Sequence, residues 1–170
     1  MALDPNSSGD AMAQELQDQV GRETPLSPAA MAARLAQVYL DHSKAATLAS
    51  ADMTAGGDVS LLESAFEVTD SSLQVDKLAA GLCSYWTTCG VPGVPAHGGT
   101  SVVSVAVAGA SVLAAMRAAV QSLITTAAVD HPFRKFFETT DAVVRTIPCT
   151  VTEVIPGTPP VPTPFPGTIS

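Results

Sequence analysis

The side chains with chemical reach in this sequence are three histidines, three cysteines and a scatter of hydroxyls and carboxylates. A general base needs a positioned partner, and His42, His97 and His131 stand far apart in sequence. Each is therefore expected to be structural: His42 on a helix face, His97 in a Gly-rich loop and His131 at a helix start. Cys83, Cys89 and Cys149 contain no CxxC pair, so they supply no metal-ligand signature. If Cys83 and Cys89 share a helix, they point about 120° apart and cannot bridge each other. Buried free thiols are one reading of the three. The other makes Cys89 and Cys149 the candidate disulfide residues, bonding to a neighbouring copy under oxidising conditions.

Hydroxyls are plentiful, but there is no GxSxG elbow and no cysteine in a recognisable nucleophile context. A Ser/His/Asp set drawn from the sequence alone has no meaning without geometry. Glu63 and Glu67, four apart, repel mildly on one helix face and belong to a solvated surface rather than to an acid/base pair. No catalytic residue, cofactor site or metal ligand is assigned, and the chain is expected not to be an enzyme.

The elements that must position these groups are mostly helical. Ala11-Met12, Leu16 and Val20 recur at helical spacing behind Ser8 as a cap, which predicts a short first helix over 10–20. Ser27-Pro28 supplies an N-cap followed by proline at the first helical position, and Met31, Leu35, Val38, His42 and Ala45 form an apolar stripe running towards Ser50. VSLLESAFEV, residues 59–68, fits a short helix or an irregular strand. Ser71 or Ser72 caps a helix that carries Val75, Leu78, Leu82, Tyr85 and Trp86 and stops at Gly90, with one of Tyr85 and Trp86 facing outward.

GVPGVPAHGGT, residues 90–100, has four glycines and two prolines and is expected to be a long loop. It lacks the Lys-Ser/Thr of a phosphate loop, and no nucleotide site is read there. The first residues of 101–107 are extended, and 108–128 is a helix apolar nearly all round, as suits an element covered on several sides. Asp130 caps a last helix in which Phe133, Phe136-Phe137, Thr140, Val143-Val144 and Ile147 make the clearest stripe in the chain. From Pro148 onward, six prolines between Ile155 and Ser170 exclude helix and central strand. Val151, Val154 and Ile155 add at most an edge strand. The fold class expected is therefore mainly α: a bundle of four to five helices with a long Gly/Pro loop, an extended Pro-rich C-terminal arm and one or two short strands. Residues 1–26 form an N-terminal arm with a short helix, 27–150 the helical domain and 151–170 the C-terminal arm.

Composition narrows the function classes. The 170 residues are 46% hydrophobic but only 5% aromatic, enough for one core without a metal or disulfide staple. Eight Lys plus Arg against sixteen Asp plus Glu give a net charge of −8, and beyond Arg134-Lys135 no basic cluster exists to neutralise phosphates. No direct nucleic-acid or anionic-membrane contact is expected. The start of the chain has no basic region followed by an apolar run, so synthesis in the cytoplasm without a secretory signal is expected. Arg117 and Gln121 interrupt the apolar stretch 101–129, which argues against a membrane helix. The tail carries Val161, Phe165 and Ile169 and almost no charge, so it is expected to lie on a surface, its own or a neighbour's.

Ala-rich helices, the VPGVPAHGGT loop, the helix PFRKFFETTDAVVRTI and the apolar Pro-rich arm together resemble small virion proteins of tailed bacteriophages. The resemblance covers about residues 75–170 and rests on layout. It implies a subunit present in many copies in a capsid, neck or tail, located in the virion. Its partners would be other copies of itself and other virion proteins, reached by extended termini. Val151, Val154, Ile155, Val161, Phe165 and Ile169 are the candidate intersubunit contacts. Two alternatives stay open: a helical adaptor whose TPPVPTP tail offers a P-x-x-P ligand at Pro159 and Pro162, and a small enzyme with a site in the 90–100 loop.

Overall fold

In a computed structural model of the chain, the structure describes residues 3–48, 51–52, 57–67, 74–92, 100–105, 110–125, 131–154, 159, 161–165 and 169. The described residues are mainly helical. Six helices occur among them: α1 (Pro5–Val20), α2 (Pro28–Lys44), α3 (Val59–Phe66), α4 (Gln74–Thr88), α5 (Ala110–Thr125) and α6 (Pro132–Val144). The count exceeds the four to five expected because Val59–Phe66 form a helix. Each helix packs against the next in chain order, and α6 closes back on α1.

The helix starts follow local chemistry. Asp4, not Ser8, caps α1; its carboxylate accepts from the backbone N–H groups of Asn6 and Ser7, and Pro5 opens the helix, which therefore begins five residues earlier than the apolar spacing predicts. Ser27 caps α2 as predicted, accepting from Ala30 N at 3.2 Å. The helix ends at Lys44 rather than near Ser50. Asp58 caps α3 through Ser60 N at 3.0 Å. The cap expected from Asp130 is replaced by His131, which takes a left-handed conformation (φ 61°) with no side-chain cap bond. Proline fixes its own φ and restricts the residue before it, so Pro132 sets the start of α6 whatever precedes it. Asp130 itself lies outside the described residues.

Small residues allow two close helix crossings. A Cβ added to Gly9 would sit 2.5 Å from the backbone N of Arg134, so α1 approaches the first turn of α6 backbone to backbone. Likewise a Cβ on Gly81 would collide with that of Ala65, which seats α4 on α3. Gly9→Ala gains helix propensity of about 1 kcal/mol but must push two backbones apart, a cost of about 1–3 kcal/mol. Denaturant unfolding should therefore show net destabilisation, and a stabilised Gly9→Ala chain would mean that α1 does not dock on α6.

The core is built round Tyr39. Its ring stacks on Phe137 (centroids 5.7 Å, 22°), meets the edge of Tyr85 at 5.9 Å and accepts a hydrogen bond at its hydroxyl from Trp86 Nε1 at 3.0 Å. Ser43 and the Tyr85 hydroxyl are also hydrogen-bonded. Burial pushes both phenols well above their ordinary range. Tyr85 and Trp86 are both fully buried, against the expectation that one faces outward. Adjacent helical residues point about 100° apart, and α4 lies between α3 and α5, so both directions are covered. On α2 the buried line is Ala32, Ala36, Tyr39 and His42-Ser43. Met31, Leu35 and Val38 flank it half-buried, because small alanines bring the helices closest. The α6 stripe is as read: Phe136, Phe137, Thr140 and Val144 are buried, and so is Ile147 just beyond the helix.

Among the described residues six strands, against the one or two expected, form a two-stranded ribbon, β1 (Thr47–Leu48) with β2 (Ala51–Asp52), and a four-stranded antiparallel sheet of order β3-β4-β5-β6. Its strands are β3 (Gly90–Pro92), β4 (Thr100–Val105), β5 (Cys149–Val154) and β6 (Val161–Phe165). Two expectations are corrected here. Gly90 to Pro92 are strand rather than loop, and β5 is an interior strand rather than an edge. Proline excludes only a donor-requiring position; β5 has none, and β6 satisfies its neighbour by parity. Pro162 and Pro164 lack N–H groups, so the ladder to β5 runs through Val161, Thr163 and Phe165, opposite Glu153, Val151 and Cys149. The same alternation carried across β4 makes Val91 bond to Val103 and turns Pro92 to the opposite outer edge.

Candidate functional site: a buried Ser–His–Asp tie and a C-terminal strand pair

The histidine read as structural sits in the most polar cluster of the core. His42, on α2, is 4% exposed. Its Nε2 lies 2.9 Å from Asp141 Oδ1 on α6 and its Nδ1 lies 2.8 Å from Ser8 Oγ on α1. A single neutral tautomer satisfies both contacts, with Nε2–H donating to the carboxylate and the Ser8 hydroxyl donating to Nδ1. The ring also packs at 4.5 Å on Phe137. Asp141 is 2% exposed, and its Oδ2 has no hydrogen-bond partner among the described residues. A hollow of about 350 Å³, lined by Asp4, Ser7, Ala11, Val38 and Asp41, opens over Ser8.

Chemically, this order of groups can pull a proton from a serine hydroxyl. Acyl transfer also needs donors for the developing oxyanion. The backbone amides nearest Ser8 are taken: Asn6 and Ser7 bond the Asp4 side chain and Ser8 N bonds Asp4 O. The cluster therefore serves best as a tie that holds three helices together. Sequence reasoning placed Ser8 as a cap and passed over Asp141. The missed signal was a carboxylate between Phe137 and Val144, on the apolar face of α6, where it must find a buried partner.

Two ion pairs on the rim reinforce the same junction. Arg134 grips Asp10 through two bonds of 2.7 Å, which holds the Asp10 carboxyl below its usual range. Arg34 reaches Glu15 at 3.0 Å. Lys135, the other half of the only basic cluster, pairs with Glu138 at 3.1 Å. Arg117 lies outward, paired with Asp76.

The three cysteines are free and buried, with desolvation raising each thiol and pushing Cys89 up to about 11. The candidate disulfide residues Cys89 and Cys149 are not bonded to each other. Cys89 precedes β3 and Cys149 opens β5, two strands away in the same row and parallel sense. Two strand spacings are about 9.6 Å, beyond the Cα separation a disulfide spans. At 3% and 2% exposure both thiols are covered by their own chain.

Of the candidate intersubunit residues, Val151 and Val154 lie in β5 and Val161 and Phe165 in β6. Ile169 is fully buried in the chain's own core. Ile155 lies outside the described residues, as do His97 and the central part of the 90–100 loop. His131 stands exposed at the start of α6. Among the described residues no helix is long and apolar enough to cross a membrane, and no group of three or more His, Cys, Asp or Glu is placed to hold a metal. Compared with protein-family models, curated proteins and solved structures, the chain matches none.

Proposed function

We propose that this chain is a non-enzymatic structural subunit of a large homo- or hetero-oligomeric particle, of the kind that builds the capsid, neck or tail of a tailed-phage virion. The observation that carries this reading is the C-terminal strand pair. The last segment of the chain contributes a backbone ladder and one apolar plug, Ile169, and both are contacts that an identical subunit supplies equally well. Among the described residues the Ser8, His42 and Asp141 side chains bond one another across three helices. Five of the eight Lys and Arg residues, Arg34, Lys44, Arg117, Arg134 and Lys135, are each paired to a carboxylate, which suits an acidic surface poorly to binding phosphates. The adaptor reading loses its free ligand, since Pro162 is held in β6 opposite Thr152.

Light scattering on the full chain and on a chain cut after Val154 tests the proposal. The full chain is expected to give a large or concentration-dependent assembly, and the truncated chain a small species. Because the cut also removes buried Ile169, Thr163→Pro serves as a second variant: it deletes a ladder donor and leaves the plug in place. A full-length chain that stays monomeric at every concentration would sink the reading.

A further inference from the structure

Ser7 and Ser8 both line the hollow between α1 and α2, and of the two Ser8 is the one bonded to an imidazole. Its hydroxyl lies 2.8 Å from His42 Nδ1, and His42 Nε2 lies 2.9 Å from Asp141 Oδ1. Ser8 is half-buried at the opening, while His42 and Asp141 behind it are 4% and 2% exposed. A nucleophile in reach of its base, with the base held by a buried carboxylate, is the geometry that activates a hydroxyl. A tie between helices does not require its serine to line an opening.

The backbone around Ser8 decides how far the chemistry goes. The amides of Asn6, Ser7 and Ser8 are all bonded to Asp4, and loss of one oxyanion donor costs about 10²–10³ in rate. A donor with a good leaving group, an aryl ester or a thioester, tolerates that loss. Its product, an alkyl ester of Ser8, has a poor leaving group and does not, so the acyl group stays. In the step, Ser8 Oγ bonds to the acyl carbon and its proton passes to His42 Nδ1. The bond from the acyl carbon to the leaving oxygen or sulfur breaks, and the imidazolium returns the proton to the departing atom. Asp141 stays a carboxylate and holds the ring. The lining selects the donor. Ala11, Val38 and Ala45 offer apolar contact to a short acyl chain, and the Asp4 and Asp41 carboxylates repel anions. Lys44, 3.4 Å from Asp41, offsets one of these charges and leaves the lining acidic.

We infer that Ser8 is a covalent modification site that accepts one short acyl group from a neutral or cationic activated ester or thioester. His42 takes the proton, and Asp141 is its positioning residue. The inference goes beyond the assembly reading and stands on different residues. It is tested by incubating the full chain with p-nitrophenyl acetate, following phenolate release and mapping acetyl groups by peptide mass spectrometry. Relative to a Ser8→Ala control, the chain should release one extra equivalent of phenolate and then stop. Ser8 should be acetylated about 100-fold faster than Ser7, since general-base catalysis contributes about 10²–10⁴. Asp141→Asn, shown to be folded by circular dichroism, should slow Ser8 by about 100-fold and leave Ser7 unchanged, a contrast that a purely structural Asp141 would not produce. Acetylation of Ser8 no faster than Ser7 in the unaltered chain would overturn the inference without recourse to any variant. Equal rates at Ser8 in the unaltered chain and in folded Asp141→Asn would overturn the role given to Asp141. Phenolate release that continues past one equivalent, with Ser8 recovered free, would overturn both the arrested ester and the non-enzymatic reading, whereas a monomeric chain by scattering that still acetylates Ser8 would sink the assembly reading alone.

Discussion

Replacing Asp141 by alanine is expected to cost about 3–5 kcal/mol of folding stability, because it strips a buried imidazole of its carboxylate partner. His42 sits at the meeting of α1, α2 and α6, with Ser8 on one ring nitrogen and Asp141 on the other. Without Asp141, Nε2 faces a closed core and must either stay unpaired or draw water into it. Asp141→Asn keeps the shape and one acceptor, so it should cost less, about 1–3 kcal/mol. Denaturant unfolding of Asp141→Ala, His42→Ala and the double variant measures the coupling directly. The two losses should fall short of adding by about 1–3 kcal/mol, since the second substitution removes a group already orphaned by the first. Strict additivity would show that the two side chains do not depend on each other.

Phe137→Ala is the second large effect, about 3–5 kcal/mol. Phe137 is fully buried, stacks on Tyr39 and also packs on the His42 ring. Truncation leaves a cavity beside two groups held by hydrogen bonds, which resist collapsing into it. Phe136 is equally buried, with its ring at 6.3 Å from Tyr39 and 5.4 Å from Phe137. A loss below about 1 kcal/mol for both residues would mean that the α6 stripe faces solvent and is free to anchor a partner. Because Phe137 touches His42, its loss should also be non-additive with Asp141→Ala.

Much of the helical framework was legible in the chain, and the reason is local. Ser27-Pro28 marks the start of α2 and the Phe136–Ile147 stripe marks the buried side of α6, because caps, proline and the 3.6-residue period act within a few residues. The error at α1 was local too. Asp4-Pro5 is a cap signal as good as Ser27-Pro28, but the apolar spacing drew attention to Ser8.

The proline content of the tail was read as a bar to any interior strand, and this shows where sequence rules stop. Missing N–H groups decide which side of a strand can bond, and that parity is fixed by the sequence alone. Which strand fills the bonding side is a long-range matter. Only the fold placed β5 between β4 and β6. The Ser8–His42–Asp141 tie is of the same kind. Each residue type was visible, but Asp141 is ninety-nine residues from its histidine, and nothing within a helical turn of either one names the other. Sequence by itself determined the helical class, the start of α2, the buried stripe of α6, the acidic charge balance and the parity of the tail prolines, all properties of neighbouring residues. Tertiary structure decided the closing of α6 on α1, the partner of the buried histidine and the burial of Ile169, because those follow from which faces meet once separate elements share one core.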